Sequence, residues 1–207
     1  MRLNRTAARA YTAALALSVS LAAYPSVVIA AEKPPTGTAA TAAPADPLAH
    51  IRIDNFGRVN PRYYRGAQPK GRDFADLAAG GVKMVIDLAE EGDPAEEANA
   101  KKAGMQFARI PMTTHEAPGP ATIAHFLALV NDPANQPVYV HCIGGKHRTG
   151  VMTAIYRITG EGWTPLQAFS EMKQYKFGAD FLHSEFKEFV LGFTTAETPA
   201  PAVRDHK

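Results

Sequence analysis

The stretch VHCIGGKHRTGV, residues 140–151, contains the only cysteine of the chain. Apolar residues precede Cys142, two glycines follow it, and helical spacing of apolar residues begins at about Thr149. The stretch therefore predicts a buried strand that ends at Cys142, then a tight loop and a helix. Ligands of α/β sheets bind beyond the carboxyl ends of the strands, which is where Cys142 falls.

The loop after Cys142 has the composition of an anion site. Backbone N–H groups at a helix N-terminus attract negative charge and favour a thiolate, and those from Ile143 to Arg148 can surround a phosphate group. Gly144 and Gly145 let the backbone approach a ligand closely. Arg148 offers two parallel donors for phosphate oxygens, and the hydroxyl of Thr149 can stabilise the sulfur. These features favour a thiolate that attacks phosphorus over the commoner buried, inert thiol.

Outward from this loop, strands and helices alternate along the chain. Because the chain has a single cysteine, it can form neither an intramolecular disulfide nor a cysteine-based zinc site. The alternation predicts a single α/β domain with a central, mainly parallel sheet flanked by helices. We expect strands at 51–56, within 60–69, and at 82–89, 105–112 and 137–142, and helices at 71–79, 94–103, 120–130, 149–159, 165–175 and 182–193.

The two ends of the chain differ from the middle. Three arginines followed by an apolar stretch and small residues predict a signal peptide at 1–31 and hence export to the periplasm or the medium. Residues 32–49 read as a flexible linker rich in Pro, Ala and Thr, 50–193 as the folded domain that contains Cys142, and 194–207 as a disordered tail. The formal net charge of +2 indicates no nucleic-acid partner.

The longer pattern HCIGGKHRTG, residues 141–150, resembles the signature loop of the cysteine-dependent protein tyrosine and dual-specificity phosphatases. The stretch NFGRVNPRYYRGAQPKGRDFADLAAGGVKMVIDLAEE, residues 55–91, is similar to the opening of their atypical, plant-and-fungal members. The resemblance covers about residues 50–190. It implies the fold of that family and hydrolysis of phosphate esters through a cysteinyl-phosphate intermediate.

Roles carried over by the resemblance fall on matching positions of this chain. It makes Cys142 the nucleophile, Arg148 the phosphate clamp and His141 a residue that organises the loop. No metal or organic cofactor is implied. Lys146 and His147 either bind further phosphate groups or lie on a solvated rim. Arg65, in YRGAQP, reads mainly as structural, with the option that it braces the loop from behind.

The general acid is the one part that departs from the family pattern. Related phosphatases supply an aspartate from a loop some tens of residues before the cysteine, but IPMTTHEAPGP, residues 110–120, contains none. Glu116 is the first substitute and His115 the second, unless both are plain loop residues. Asp93 is a weaker candidate for the acid. Asp87 reads as a structural residue. Since pyrophosphate leaves with less protonation than an alkyl alcohol, the missing aspartate favours anhydride substrates.

The expected partners are phosphorylated small molecules, lipids or proteins. A substrate at a membrane surface is compatible with the sequence, and the oligomeric state is unknown. Two alternatives stay open. One is a pseudophosphatase that binds phosphate without turnover, and the other is sulfur transfer on a rhodanese-like loop.

Overall fold

Two strands made almost entirely of apolar residues, β3 and β5, form the centre of the molecule. The computed structural model describes residues 48–179 and 181–195. Every residue of β3 and β5 is buried, as expected for parallel strands that are covered on both faces. The strands are β1 (Gly57–Asn60), β2 (Tyr63–Ala67), β3 (Met84–Ala89), β4 (Gln106–Met112) and β5 (Val138–Cys142).

Six helices accompany the strands, with boundaries close to those predicted. They are α1 (Asp73–Ala79), α2 (Glu96–Lys102), α3 (Pro120–Asn131), α4 (His147–Glu161), α5 (Pro165–Gln174) and α6 (Ser184–Gly192). Local chemistry explains several ends. Thr164 and Gln167 form a capping box at the start of α5, and Gly162 closes α4 in the left-handed conformation.

The five strands form one sheet in the order β1-β2-β5-β3-β4. Only the β1–β2 pair is antiparallel; β2–β5, β5–β3 and β3–β4 are parallel. The predicted fold class is therefore confirmed. This order places the carboxyl end of β5 between those of β2 and β3, so that Cys142 lies opposite Ala67 and His141 opposite Asp87.

Successive residues of β5 belong to two different apolar clusters. Val138, Val140 and Cys142 pack in the larger cluster with residues of α3 to α6. Tyr139 packs on the other face, with residues of α1 and α2. Because side chains alternate along a strand, His141 and Cys142 face opposite layers of the protein.

One predicted element is wrong. Residues 51–56 alternate like a strand but form turns, and β1 begins only at Gly57. Ile51 and Ile53 are buried with the α1 and α2 cluster, and Asn55 has a left-handed φ of 55° that a strand does not accommodate. Their alternation therefore reflects packing and not sheet pairing.

The predicted signal peptide, most of the linker and most of the tail lie outside the described residues. Leu48, which the sequence assigns to the end of the linker, is fully buried in the core. Among residues 48–179 and 181–195, no helix has the length and apolarity needed to cross a membrane.

Candidate active site

Cys142 is the last residue of β5, and α4 begins five residues later at His147. The intervening loop therefore sits at the N-terminus of a 15-residue helix, where unpaired N–H groups favour an anion. The thiol is 3% exposed and the cysteine is free. The strand–loop–helix arrangement predicted from the sequence is confirmed.

The loop is held by Arg65, which lies on β2, and by Asn55, which lies in the turn before β1. The carbonyl oxygen of Gly145 accepts from Arg65 Nη2 at 2.9 Å and from Asn55 Nδ2 at 2.8 Å. The backbone N–H of Gln68 donates to the carbonyl of Ile143 at 3.2 Å. The bracing role considered for Arg65 is confirmed, whereas Asn55 was missed. Its only sequence signal is that asparagine tolerates the left-handed conformation.

Gly145 is the loop residue that no larger side chain can replace. A Cβ there would lie 2.2 Å from the carbonyl carbon of Gly66, and its φ is +62°. We expect Gly145→Ala to lower the free energy of unfolding by about 2–4 kcal/mol, from overpacking and the left-handed penalty. Phosphatase activity should fall about 100-fold because the loop must shift. Urea unfolding and phosphate release measure the two effects.

Gly144→Ala is the matched control for that substitution. The three atoms nearest to its added Cβ are carbons of the exposed Lys146 side chain, at 3.7 Å, so the free energy of unfolding should stay within about 0.5 kcal/mol of the parent protein. Equal stability of the two alanine variants would contradict the close approach of Gly145 to β2.

Arg148 is locked by a carboxylate that the sequence did not single out. Its Nη1 and Nη2 donate to the two oxygens of Glu91, both at 2.6 Å, and Nη1 also donates to the carbonyl of Met112 at 3.0 Å. The Nε atom is buried with no protein partner among the described residues. The side chain is thus aimed by Glu91 while one donor stays available for an anion.

Glu91 and Arg148 each shift the pKa of the other. The hydrogen bond from Arg148 lowers the pKa of Glu91 to about 2. Burial acts to lower the pKa of Arg148, but its hydrogen bonds to Glu91 and the electrostatic influence of the nearby Cys142 outweigh burial and raise it. Both groups are therefore charged across the whole range in which the enzyme can be assayed.

His141 is fully buried in the layer opposite to the thiol. Its Nδ1 donates to the carbonyl of Cys142 at 3.4 Å, and its Nε2 lies 2.7 Å from Glu96 Oε1. Asp87 accepts from the backbone N–H of Ala89 and from Arg109 Nε, both at 2.8 Å, which confirms its structural interpretation. The histidine therefore links the loop to α2 rather than to the substrate side.

Asp87, Glu96 and His141 also form the one described cluster with the composition of a metal site, with ligand atoms within 4.8 Å of one another. Arg109 lies beside both carboxylates, at 2.8 Å from Asp87 and 3.8 Å from Glu96. The Arg109 guanidinium therefore already offsets the negative charge of these carboxylates from within the protein.

The remaining predicted residues of the loop have different environments. The hydroxyl of Thr149 is buried without a hydrogen-bond partner among the described residues, so its predicted contact with the sulfur is not formed here and stays a prediction. Ile143 and Lys146 are exposed. His147 is half-buried, and its Nε2 donates to the carbonyl of Phe177 at 2.9 Å, which gives the ring a packing role.

Both candidate acids lie in the loop that joins β4 to α3, and both are exposed. The Thr114 hydroxyl is 3.1 Å from His115 Nε2, while Glu116 makes no contact with Cys142 or Arg148. The loop nevertheless starts at the site, because the carbonyl of Met112 accepts from Arg148. The carboxylate of Asp93 accepts from the N–H of Ala95 at 2.8 Å and so shapes the turn before α2.

A cavity of about 400 Å³ opens beside the loop and shares Ile143, Gly144 and Lys146 with it. Its other walls come from residues 52–55, from residues between 67 and 73, and from Lys176. Cations outnumber carboxylates by four to two, the former being Arg52, Lys70, Lys146 and Lys176 and the latter Asp54 and Asp73. Such a cavity suits a ligand that carries negative charge beyond the group held by the loop.

Comparisons with known proteins agree with this geometry. A family model described as "DSP-PTPase phosphatase fused to NAD+ Kinase" matches residues 52–188. The chain is 30% identical over 161 residues to the dual specificity protein phosphatase TpbA of Pseudomonas aeruginosa, covering 76% of this chain and 72% of that protein. It is 30% identical over 133 residues to the inositol diphosphatase SIW14 of Saccharomyces cerevisiae, covering 61% and 47%.

A solved structure gives the same assignment. The crystal structure of the core catalytic domain of the yeast PP-IP phosphatase SIW14 superimposes with a TM-score of 0.60 at 26% identity, covering 70% of this chain and 88% of that one. Its fold is the one described above, and the family model spans the strand–loop–helix that carries Cys142 and Arg148. The chain belongs to the atypical dual-specificity phosphatases of the protein tyrosine phosphatase superfamily, which are phosphoric monoester hydrolases.

Proposed function

We propose that this phosphatase hydrolyses phosphate esters and anhydrides of densely phosphorylated molecules through a cysteinyl-phosphate intermediate on Cys142. The observation that carries the proposal is that one short loop joins the buried thiol of Cys142, at the end of β5, to Arg148, in the first turn of α4, whose Nε has no hydrogen-bond partner among the described residues.

The proposed reaction has two steps. The Cys142 thiolate attacks phosphorus, the bond to the leaving oxygen breaks, and that oxygen takes a proton from Glu116 or His115. Water, deprotonated by the same group, then attacks the cysteinyl phosphate and releases inorganic phosphate and the thiolate. The loop amides and Arg148 hold the phosphoryl oxygens in both transition states.

The basic cavity supports a substrate with more than one phosphate group. Lys146 connects it to the loop, so a second phosphate of the same molecule would lie within reach of Lys70 and Lys176. One relative named above is an inositol diphosphatase, whose substrate class has this character. Among the substrates considered from the sequence, inositol phosphates and phosphoinositides fit best, ahead of envelope lipid phosphates and phosphoproteins.

Lys176→Met separates this preference from general phosphatase activity. We expect kcat/KM for an inositol pyrophosphate to fall up to about fivefold, the effect of one exposed charge, with phenyl phosphate unchanged. Lys102→Met, on the opposite layer, is the matched control and should change neither value. A screen of phosphate release over phosphotyrosine peptide, phosphoinositides, inositol pyrophosphate and lipid phosphates would overturn the proposal if the singly phosphorylated peptide were preferred.

The source of the proton is tested by leaving-group dependence. We expect either Glu116→Gln or His115→Asn to lower kcat with phenyl phosphate by about 100-fold or more, because phenoxide leaves poorly without a proton. With p-nitrophenyl phosphate, whose leaving group needs little protonation, the loss should be small. If both variants retain the parent's ratio between these substrates, neither residue is the acid.

We also propose that the mature enzyme acts outside the cytoplasm, on substrates of the cell envelope or the surrounding medium. The support is the N-terminal pattern of three arginines, an apolar stretch and small residues. Cell fractionation of a C-terminally tagged chain, with N-terminal sequencing of the product, tests this. A full-length protein in the cytosolic fraction would contradict it.

A further inference from the structure

The loop that carries Glu116 and His115 is attached to the phosphate loop through a histidine from a third part of the chain. His183, the residue before α6, places its Nδ1 3.2 Å from the carbonyl oxygen of Thr114. A carbonyl oxygen only accepts hydrogen bonds, so Nδ1 is the donor. The contact holds the backbone directly before the two candidate acids.

The same histidine rests on a residue of the phosphate loop. The rings of His183 and His147 lie with centroids 3.8 Å apart and an angle of 38° between their planes. His147 immediately precedes Arg148, and its own Nε2 donates to Phe177. The other face of His183 stacks on Phe186, with centroids 6.0 Å apart.

The surroundings of the two rings lower the pKa of His147. Burial first, and then the neighbouring His183, lower the pKa of His147, with smaller effects of the same sign from Lys146 and Arg148. His147 therefore stacks as a neutral ring at neutral pH. Glu185 Oε1, 3.6 Å from His183 Nδ1, is the one acceptor that competes with Thr114 among the described residues.

We propose that His183 is a positioning residue for leaving-group protonation: it fixes the loop of the general acid against the phosphate loop, through Thr114 on one side and His147 on the other. The proposal rests on the proposed function, in which Glu116 or His115 supplies the proton. It explains how an exposed loop, in which neither the carboxyl of Glu116 nor the imidazole of His115 contacts Arg148, keeps a defined place beside the phosphate loop.

The test uses two polar variants of nearly the same size. Asparagine can place an N–H donor where Nδ1 of the histidine was, whereas the longer glutamine places its donor near the position of Nε2. We expect His183→Asn to keep the parent's kcat with phenyl phosphate within about threefold, and His183→Gln to lose about 10- to 100-fold, the cost of a displaced catalytic group. With p-nitrophenyl phosphate both variants should stay close to the parent.

The full-length enzyme serves for all assays, and thermal unfolding checks that each variant folds. Glu185→Gln, which removes the charge of the competing acceptor, should leave the ratio between the two substrates unchanged. In the background of the acid-deficient variant (Glu116→Gln or His115→Asn, whichever has lost the leaving-group effect), His183→Gln should cost nothing further with phenyl phosphate.

The outcomes separate this proposal from the proposed function. If His183→Gln slows both substrates equally, or if the Asn and Gln variants behave alike, the histidine is merely structural and the proposal is overturned while the phosphatase mechanism stands. If neither acid variant changes the leaving-group dependence, the acid assignment fails and the proposal falls with it. Phosphate release that survives loss of the thiol would instead overturn the proposed function itself.

Discussion

We expect Cys142→Ser to abolish phosphate release from every substrate, with kcat reduced by at least about 10⁴-fold, the scale of the loss when an enzyme is deprived of its nucleophile. A serine hydroxyl is far less acidic than a thiol, so in this place it remains protonated and is a poor nucleophile. The loop amides and Arg148 are untouched, so a phosphorylated ligand should still bind. Phosphate release and calorimetric titration with inorganic phosphate measure the two properties.

The contrast between lost turnover and retained binding makes this result specific. A variant that loses both has a collapsed loop, which thermal unfolding would reveal. Val140→Ala, which trims a buried residue of the same strand and face, is the matched control; it should lose about 1–3 kcal/mol of stability while keeping most of its turnover. Turnover that persists in Cys142→Ser would overturn the covalent route.

Arg148→Ala is expected to have the second largest effect, lowering kcat/KM by about 10³-fold, because the transition-state oxygens lose a charged, preorganised donor. The substitution also leaves Glu91 without its partner, so a second negative charge would face the substrate. Arg148→Lys should recover only a small part, since an ammonium group cannot meet both oxygens of Glu91 and still present a donor to phosphate. Steady-state kinetics with p-nitrophenyl phosphate, which avoids the proton-transfer step, isolates this effect.

Glu91→Gln is the companion to that experiment and gives a prediction for pH. The pKa of Glu91 is depressed to about 2, below its ordinary value of 4.5, so the ion pair is fully formed above pH 4.5 and is lost only as the pH falls towards 2. We therefore expect the parent's rate profile between pH 5 and 8 to contain no step from Glu91. Glu91→Gln should lower the whole profile without changing its shape; a new inflection in that range would contradict the assignment.

Much of the fold could be predicted because its elements carry local signals. β3 is a run of six buried residues, and α5 starts at Pro165 because Thr164 caps it. The failure at 51–56 has a physical cause. Ile51 and Ile53 alternate because they pack beneath α1 and α2, and alternation alone cannot tell such packing from pairing in a sheet.

The residues of the site likewise fall into those that the sequence predicts and those that it does not. Cys142, Arg148 and the glycines could be identified because a single loop holds them, and their functions depend on their backbone geometry. The residues that orient them could not be identified from the sequence. Glu91, Glu96 and His183 lie in separate parts of the chain. Their contacts with Arg148, His141 and Thr114 exist only after the sheet and helices have packed.

The basic cavity and the loop that carries Cys142 are formed by different parts of the chain. Arg52, Lys70 and Lys176 lie in loops outside the sheet, whereas the thiol depends on β2, β5 and α4. Substitution of these three side chains therefore leaves the loop that carries the thiol unchanged, provided that Asn55, which donates to Gly145 from the same cavity wall, is kept. A laboratory library that seeks new substrates should vary these three positions alone.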